Sequence, residues 1–119
     1  MAAPNIVNVS TITAKTTAAA MTNSTTTPLT NSASSGKVFK INTILVSNVD
    51  GTNSADATVS YHDGSTSFRI ASTISVPADS TLVVTDKNSV IYLEEGKSIK
   101  ALASAASDLE IIISYEEIS

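Results

Sequence analysis

From Val38 to Glu117 the sequence is a series of short β-forming segments with turn residues at close, regular intervals, and this spacing strongly constrains the fold. Several short strands bounded by such turns are typical of a β-sandwich or a small barrel. No stretch has a sustained helical period. The sequence therefore predicts an all-β domain built as a two-sheet antiparallel β-sandwich, either jelly-roll-like or immunoglobulin-like. The turn signals are Val49-Asp50-Gly51, Asp63-Gly64-Ser65, Pro77-Ala78-Asp79, Lys87-Asn88 and Glu94-Glu95-Gly96.

Strands are predicted where β-branched and aromatic residues recur between these turns. They are Lys37–Val49 (one long strand or two with a bend), Ala55–His62, Ser67–Ser75, Thr81–Thr85, Ser89–Leu93, Ser98–Ala103 and Leu109–Ile118. Because the chain has no Trp and few other aromatic residues, the core is expected to be aliphatic. The residues predicted to form its centre are Leu45, Val59, Ile74, Leu82, Ile91, Ile99 and Ile112.

Residues 1–36, a leader rich in Thr, Ser and Ala, carry Lys15 as their one charged side chain, whereas all 11 acidic residues lie between Asp50 and Glu117. Extended segments without charge are poorly protected against edge pairing. Two interpretations follow. The leader is either an arm that pairs with a neighbouring subunit or another surface of an assembly, or a set of additional strands in the sandwich that residues 37–119 form. Within the leader the pattern predicts strands at Ile6–Thr13, Thr16–Met21 and Thr25–Thr30, and a loop at Asn31–Gly36.

Composition excludes several function classes. The net charge is −4 and the Lys and Arg residues are scattered, so nucleic acid is not an expected partner. The absence of Cys excludes a disulfide scaffold and a thiolate metal site. No apolar run approaches the roughly 18 residues of a membrane helix, and the first residues do not resemble a signal peptide. We expect a soluble chain made in a cytoplasm, with no membrane partner.

Two groups of side chains contain residue types found in metal sites or catalytic sites. Asp50, Thr52, Asn53 and Asp56 offer oxygen ligands of the kind that Ca²⁺ prefers, but a hairpin turn explains the same residues. His62 and Asp63 are adjacent on a predicted strand end, so their side chains point to opposite faces and do not form a catalytic pair. Neither group predicts a site.

The paired carboxylates do not predict an active site either. A glycosidase needs two carboxylates facing each other across a cleft, whereas Glu94-Glu95 lies in a turn and Glu116-Glu117 is predicted to be a charged strand end that discourages edge pairing. Asn8-Val9-Ser10 and Asn23-Ser24-Thr25 match the glycosylation pattern, which a Ser- and Thr-rich chain produces by chance. The sequence predicts no catalytic residue, no metal ligand and no cofactor.

Four blocks of the sequence together resemble small structural proteins of tailed bacteriophages, notably phages of marine cyanobacteria. The resemblance covers most of the chain from Lys37 onward and implies a virion β-sandwich without catalytic residues. The blocks are Lys37 to Gly51, Ala57-Thr58-Val59-Ser60-Tyr61, Ile74 to Leu82 with its Val76-Pro77-Ala78-Asp79-Ser80 turn, and Ile91-Tyr92-Leu93-Glu94-Glu95-Gly96-Lys97-Ser98-Ile99.

The resulting expectation is a non-enzymatic virion protein, most naturally a capsid decoration or cement protein present in many copies. Its partners would be the major capsid protein or neck and tail proteins, and other copies of itself. A neck, tail or fibre component is the nearest alternative. A carbohydrate-binding, adhesin-like module is another, although such modules stack sugar rings on aromatic side chains, and the candidates here are Tyr61, Tyr92 and Tyr115.

Overall fold

The computed structural model describes residues 9–119, and these residues form nine β-strands and no helix. From β3 onward most strands coincide with runs of β-forming residues, and β3, β4, β5, β6 and β7 end at or next to a predicted turn signal. The strands are β1 (Ile12–Ala20), β2 (Thr26–Thr30), β3 (Val38–Asn48), β4 (Ala55–His62), β5 (Ser67–Val76), β6 (Thr81–Thr85), β7 (Ile91–Leu93), β8 (Ser98–Ala103) and β9 (Leu109–Ile118).

The strands form two antiparallel sheets that pack as a sandwich, which confirms the predicted fold class. One sheet has the order β1-β9-β3-β6, with β7 also paired to β3, and the other has the order β2-β8-β4-β5. Because β6 and β7 both pair with β3, they act as one interrupted strand. The pairs β1 with β9, β2 with β8, β3 with β6/β7 and β4 with β5 are those of a folded antiparallel ribbon. This is jelly-roll pairing, rather than the immunoglobulin arrangement.

The predicted segment Lys37–Val49 is one strand, β3, with a bulge. Its register with β9 shifts between Ile41 and Thr43, so Asn42 is the extra residue. An extra residue reverses which alternate side chains face the core. Ile41 and Ile44 are therefore both fully buried, although they are three residues apart.

The core lies between the sheets and is largely aliphatic, as predicted, with Phe39 and Tyr115 as its aromatic members. Val59 and Ile99 are fully buried, which confirms two of the predicted core residues. Leu82 and Ile91 are half-buried and pack against the core from its margin. The largest fully buried side chains are Met21, Ile41, Ile44, Leu93, Ile99, Leu109, Ile111, Ile113, Val46, Val59, Val76 and Asn31.

Three predicted core residues were wrong. Leu45 is only half-buried, because it follows the β3 bulge and lies on the outer face. Ile112 is 37% exposed, because its neighbours Ile111 and Ile113 point inward and alternate residues of a strand face opposite sides. Ile74 is 40% exposed on edge strand β5, beside an irregularity in its pairing with β4.

The described part of the leader supplies one strand to each sheet. β1 pairs with β9 over its whole length, and β2 pairs with β8. β1 is a single strand, so the separate runs predicted around Thr13 and Thr16 are continuous. Of the predicted strand Ile6–Thr13, residues 6–8 lie outside the described residues, residues 9–11 are not in a strand, and Ile12 and Thr13 begin β1. Pairing of the leader with a neighbouring subunit stays a prediction.

Asn31, at the end of the leader's second strand, is fully buried and ties three segments together. Its side-chain amide donates hydrogen bonds to the carbonyl oxygens of Lys37 and Leu93, both at 2.9 Å. Its own carbonyl oxygen accepts a hydrogen bond from the Ser35 hydroxyl. A buried polar group is tolerated when its hydrogen-bonding capacity is satisfied. The leader is therefore connected to the sandwich by specific polar contacts as well as by strand pairing.

Candidate interaction surface

The outer face of the five-stranded sheet carries a continuous row of apolar side chains. Ala18 pairs with Ile112, Ile112 with Leu45, and Leu45 with Val83, so one residue from each of β1, β9, β3 and β6 lies side by side. We call these four residues the apolar row. Ile112 is 37% and Val83 is 55% exposed. Large exposed apolar side chains that are contiguous, rather than scattered, are a signature of interaction surfaces.

Small hydroxyl residues lie on one side of the apolar row. Thr16, Ser114 and Thr43 form the next set of cross-strand partners, and none carries a charge. On the other side Glu110 introduces one carboxylate beside Ala20 and Ser47. The centre of this face is thus flat, neutral and partly apolar, and charge is confined to its margin. Depletion of charge at the centre is characteristic of protein–protein interfaces.

A shallow recess of about 280 Å³ lies on this face next to the sheet edge. It is lined by Ala18, Ala19 and Ala20 of β1 together with Glu110 and Ile112 of β9. The recess forms because alanine side chains cover little of the space beside Ile112. It widens the apolar row at the β1 end and offers a place for a partner side chain.

The oxygen-rich segment after β3 is a turn stabilised from within. One carboxylate oxygen of Asp50 accepts hydrogen bonds from the backbone N–H groups of Thr52 and Asn53, at 2.8 and 3.2 Å. These bonds hold the pKa of Asp50 below its ordinary value. Partial loss of hydration, followed by the negative charge of Asp50, raises the pKa of Asp108. Asp56 lies beyond this turn, on β4.

His62 ends β4, and its ring Nδ1 lies 2.9 Å from the Ser67 hydroxyl across the hairpin. Asp63 closes the turn: its carboxylate accepts hydrogen bonds from the N–H groups of Thr66 and Ser65, which hold its pKa below the ordinary value. The geometry is that of a stabilised β-turn. The Asn23-Ser24-Thr25 match is exposed and lies between β1 and β2, whereas Asn8 lies outside the described residues.

The two glutamate pairs have different structural roles. Glu94-Glu95 lies in the predicted turn, where Gly96 takes a positive φ of 78°, and the Glu95 carboxylate accepts a hydrogen bond from the Gly36 N–H at 2.9 Å. The prediction that Glu116-Glu117 protects a sheet edge was wrong. β9 lies between β1 and β3, so neither residue is at an edge.

Glu117 instead joins three segments of the chain electrostatically. Its carboxylate contacts the ammonium groups of Lys37, just before β3, and Lys15 of β1, the latter at 3.1 Å. The Glu117 side chain is 14% exposed. The hydrogen bond from Lys37, together with the contact to Lys15, lowers the pKa of Glu117 despite its partial burial.

This lowered pKa predicts an acid-dependent contribution to stability. Because folding favours the ionised form, the contribution is complete above the ordinary pKa of about 4.5 and is lost as the pH falls through the lower folded value. E117Q should lose about 1 kcal/mol of unfolding free energy at neutral pH and show a shallower loss in acid. Denaturant titrations between neutral and acidic pH measure both effects. E110Q, on the same strand, controls for removal of one carboxylate charge; equal acid slopes for wild type and E117Q would contradict the prediction.

The aromatic side chains do not form a platform. Tyr115 is buried and its ring packs against Phe39, with centroids 5.1 Å apart. Tyr61 packs against the core, and partial burial raises its pKa. Tyr92 and Phe68 are exposed, but they lie on different sheets. Among the described residues, no two exposed aromatic rings are therefore placed to bracket one sugar.

The described residues also lack the usual signs of a small-molecule or metal site. Three surface cavities measure about 130, 200 and 280 Å³, below the roughly 300–1,000 Å³ of typical ligand pockets. Within residues 9–119, no group of three or more His, Cys, Asp or Glu side chains is arranged to hold a metal ion. In the same range, no helix is long and apolar enough to cross a lipid bilayer.

Sequence reasoning missed the apolar row, although the signal is present in the sequence. A strand with one solvated face alternates apolar and polar residues. The runs Ile44-Leu45-Val46, Leu82-Val83-Val84 and Ile111-Ile112-Ile113 break that alternation. In each run the middle residue lies on the outer face, so the runs indicate a sheet that is apolar on both sides.

No protein-family model matches the sequence, and no curated protein matches it significantly. Similar solved structures include two crystal structures of a pentameric capsid protein isolated from metagenomic phage sequences, one of them solved by iodide SAD phasing. Both are 17% identical to this chain and cover 87% of it, with TM-scores of 0.41 and 0.39. The chain spans 60% and 64% of those two proteins.

Proposed function

We propose that this chain is a non-enzymatic structural protein of a bacteriophage virion, specifically a decoration or cement protein that binds the capsid surface in many copies. The observation that carries the proposal is the apolar row on the outer face of a sandwich whose described residues offer no chemical site. The row provides a broad surface for docking, and the small domain provides a rigid support for it.

The fold and the sequence resemblance support the same role. Jelly rolls are used by viral capsid proteins and by lectins, and this is an argument by fold analogy, which bears on function only together with the surface. The resemblance of Lys37–Gly51 and the three later blocks to phage structural proteins favours the virion alternative. Neck, tail or fibre proteins are the next candidates for the same surface.

The proposal that the chain is not an enzyme rests on where its reactive groups lie. His62 contacts a serine hydroxyl in an exposed hairpin, and Asp50 and Asp63 accept hydrogen bonds from their own turns. Glu117 is paired with two lysines. General acid–base or nucleophilic catalysis needs such groups to converge on one substrate atom, and these residues stabilise separate local structures.

The copy number of the protein in purified virions tests the proposed role. Quantitative mass spectrometry of a phage that encodes this chain should find hundreds of copies per particle, as expected for a protein that covers a capsid. A dozen or fewer would place it in the neck, baseplate or a fibre. Absence from the virion would overturn the proposal.

A pair of double variants tests the surface. V83Q/I112Q removes the two large exposed residues of the apolar row without adding charge, and should weaken binding to particles that lack the protein about tenfold or more. F68Q/I74Q is the matched control, since it removes two exposed hydrophobic residues from the other sheet. Both variants should retain cooperative melting. Equal particle binding by the two variants would contradict docking through the apolar row.

A carbohydrate-binding module is the second candidate, because lectins also use jelly rolls and because Tyr92 and Phe68 are exposed. A glycan array distinguishes the two functions. Strong, saturable binding that is lost in Y92A or F68A would favour the carbohydrate-binding module. We expect no glycan to bind, since Tyr92 and Phe68 lie on different sheets and Tyr61, the cross-strand partner of Phe68, is partly buried against the core.

A further inference from the structure

The free edge of β1 differs from the other sheet edges in the described part of the chain. β1 pairs with β9 over nine residues without a register shift, and it contains no Pro and no Gly. β2 contains Pro28 and pairs irregularly with β8, while β5 and β6 also have register shifts. β7 has three residues. Long, regular edges are those that accept another strand, and natural proteins usually interrupt them.

The one charged residue of β1 does not protect this edge. Lysine on an edge strand normally discourages further pairing. The ammonium group of Lys15, however, contacts Glu117 of β9 at 3.1 Å. Glu117 lies on the interior strand, so this contact draws the lysine away from the free edge and neutralises it. The edge is left with Ile, Thr and Ala side chains.

We propose that two copies of this chain associate through antiparallel pairing of their β1 edges, with Thr16 opposite Thr16 at the two-fold axis. The two five-stranded sheets would then form one continuous ten-stranded sheet. The dimer would form in solution, whether or not the protein has the proposed virion role.

The length of β1, together with the position of its single lysine, favours this register. In the dimer, both four-stranded sheets should lie on the same side of the ten-stranded sheet. Inward-facing residues of one β1 must then be opposite inward-facing residues of the other, so alternative registers differ by two residues. The neighbouring register centred on Lys15 would place two lysines directly opposite each other, which is unfavourable. The Thr16-centred register places Lys15 opposite Thr17, Ala14 opposite Ala18 and Ile12 opposite Ala20. It joins all nine residues of β1 to nine of its partner, whereas any shift shortens the overlap.

Charge substitutions at the two-fold axis test the proposal. Sedimentation velocity should find a concentration-dependent dimer for the wild type. T16K and T16E each place like charges opposite each other and should be monomers, and an equimolar mixture of the two should re-form a dimer. A14K adds the same charge on the same face of β1, but it faces Ala18 of the partner subunit and should still form a dimer. A monomeric wild type at every concentration, an assembly of more than two copies, or T16K dimers as stable as those of A14K would overturn the proposal.

Cross-linking provides a second test that does not depend on charged variants folding. The chain has no Cys, so one introduced cysteine reports one contact. Opposite residues of an antiparallel pair have Cα atoms about 4.5–5.5 Å apart, within the range of roughly 4.4–6.8 Å that a disulfide requires. T16C should therefore form a covalent dimer under mild oxidation. A14C alone should not, because the two copies of residue 14 lie about 14 Å apart in this register. A mixture of A14C and A18C should form a covalent dimer. Equal cross-linking of T16C and A14C alone would overturn the Thr16-centred register.

Discussion

Replacing Ile99 with alanine is expected to lower the free energy of unfolding by about 2–5 kcal/mol. Ile99 is fully buried on β8, where it pairs with Leu29 of β2 on one side and Tyr61 of β4 on the other. Truncation removes buried apolar surface and leaves a cavity that the surrounding strands fill only in part. Equilibrium denaturation with urea measures the loss directly.

I112A is the matched control for this experiment, because it makes the same chemical change on a strand of the opposite sheet. Ile112 is 37% exposed and faces outward, so its truncation should cost clearly less than that of Ile99. The comparison separates burial from residue type. Equal losses for the two variants would mean that the outer face of the five-stranded sheet is as tightly packed as the core.

From Lys37 onward, the number and order of the strands followed from the sequence because turn residues act locally. An Asp-Gly or Glu-Gly pair stops a strand through the backbone conformations it permits, whatever the rest of the chain does. The strands predicted at Ala55–His62, Thr81–Thr85 and Ser98–Ala103 have the predicted bounds. The predicted Ser89–Leu93 is shorter in the structure and begins at Ile91.

It was harder to predict which side chains of each strand face the core. That depends on register, which is set by strands distant in sequence. One extra residue at Asn42 reverses the inward side of β3 and moves Leu45 to the outer face. No local pattern marks this bulge, since Ile44, Leu45 and Val46 are all apolar. The jelly-roll pairing was likewise open, because nothing in a strand's own composition specifies its partner in the other half of the chain.

The candidate surface depended on both of these properties. The apolar row joins residues from four strands, and no two of the four are neighbours in sequence. Three apolar runs in the sequence indicate that such a surface exists, but which four residues form it depends on the register of the strands. The expectation of no chemical site rested largely on composition, since a chain with one His and no Cys has few ways to assemble one, and it stays a prediction.

Deleting residues 2–36 is expected to abolish cooperative folding. The deletion removes β1 and β2, so β9 and β8 each lose a paired neighbour. It also removes Met21 and Asn31, both fully buried. Loss of Asn31 alone leaves the carbonyl oxygens of Lys37 and Leu93 without their donor, at about 1–3 kcal/mol for each buried group. Added to the loss of two strand pairings and of buried Met21, this cost is large relative to the roughly 5–15 kcal/mol that stabilises a typical domain.

Thermal melts followed by circular dichroism distinguish this outcome from that of a detachable arm. The truncated chain should lack a cooperative transition, whereas deletion of residues 2–8, which leaves every described strand in place, should preserve one. If the chain without residues 2–36 still melts cooperatively but no longer assembles on particles, the leader is an arm that serves the assembly, and its pairing with β8 and β9 is dispensable. If folding is lost, the leader is part of the sandwich, and the arm interpretation is wrong.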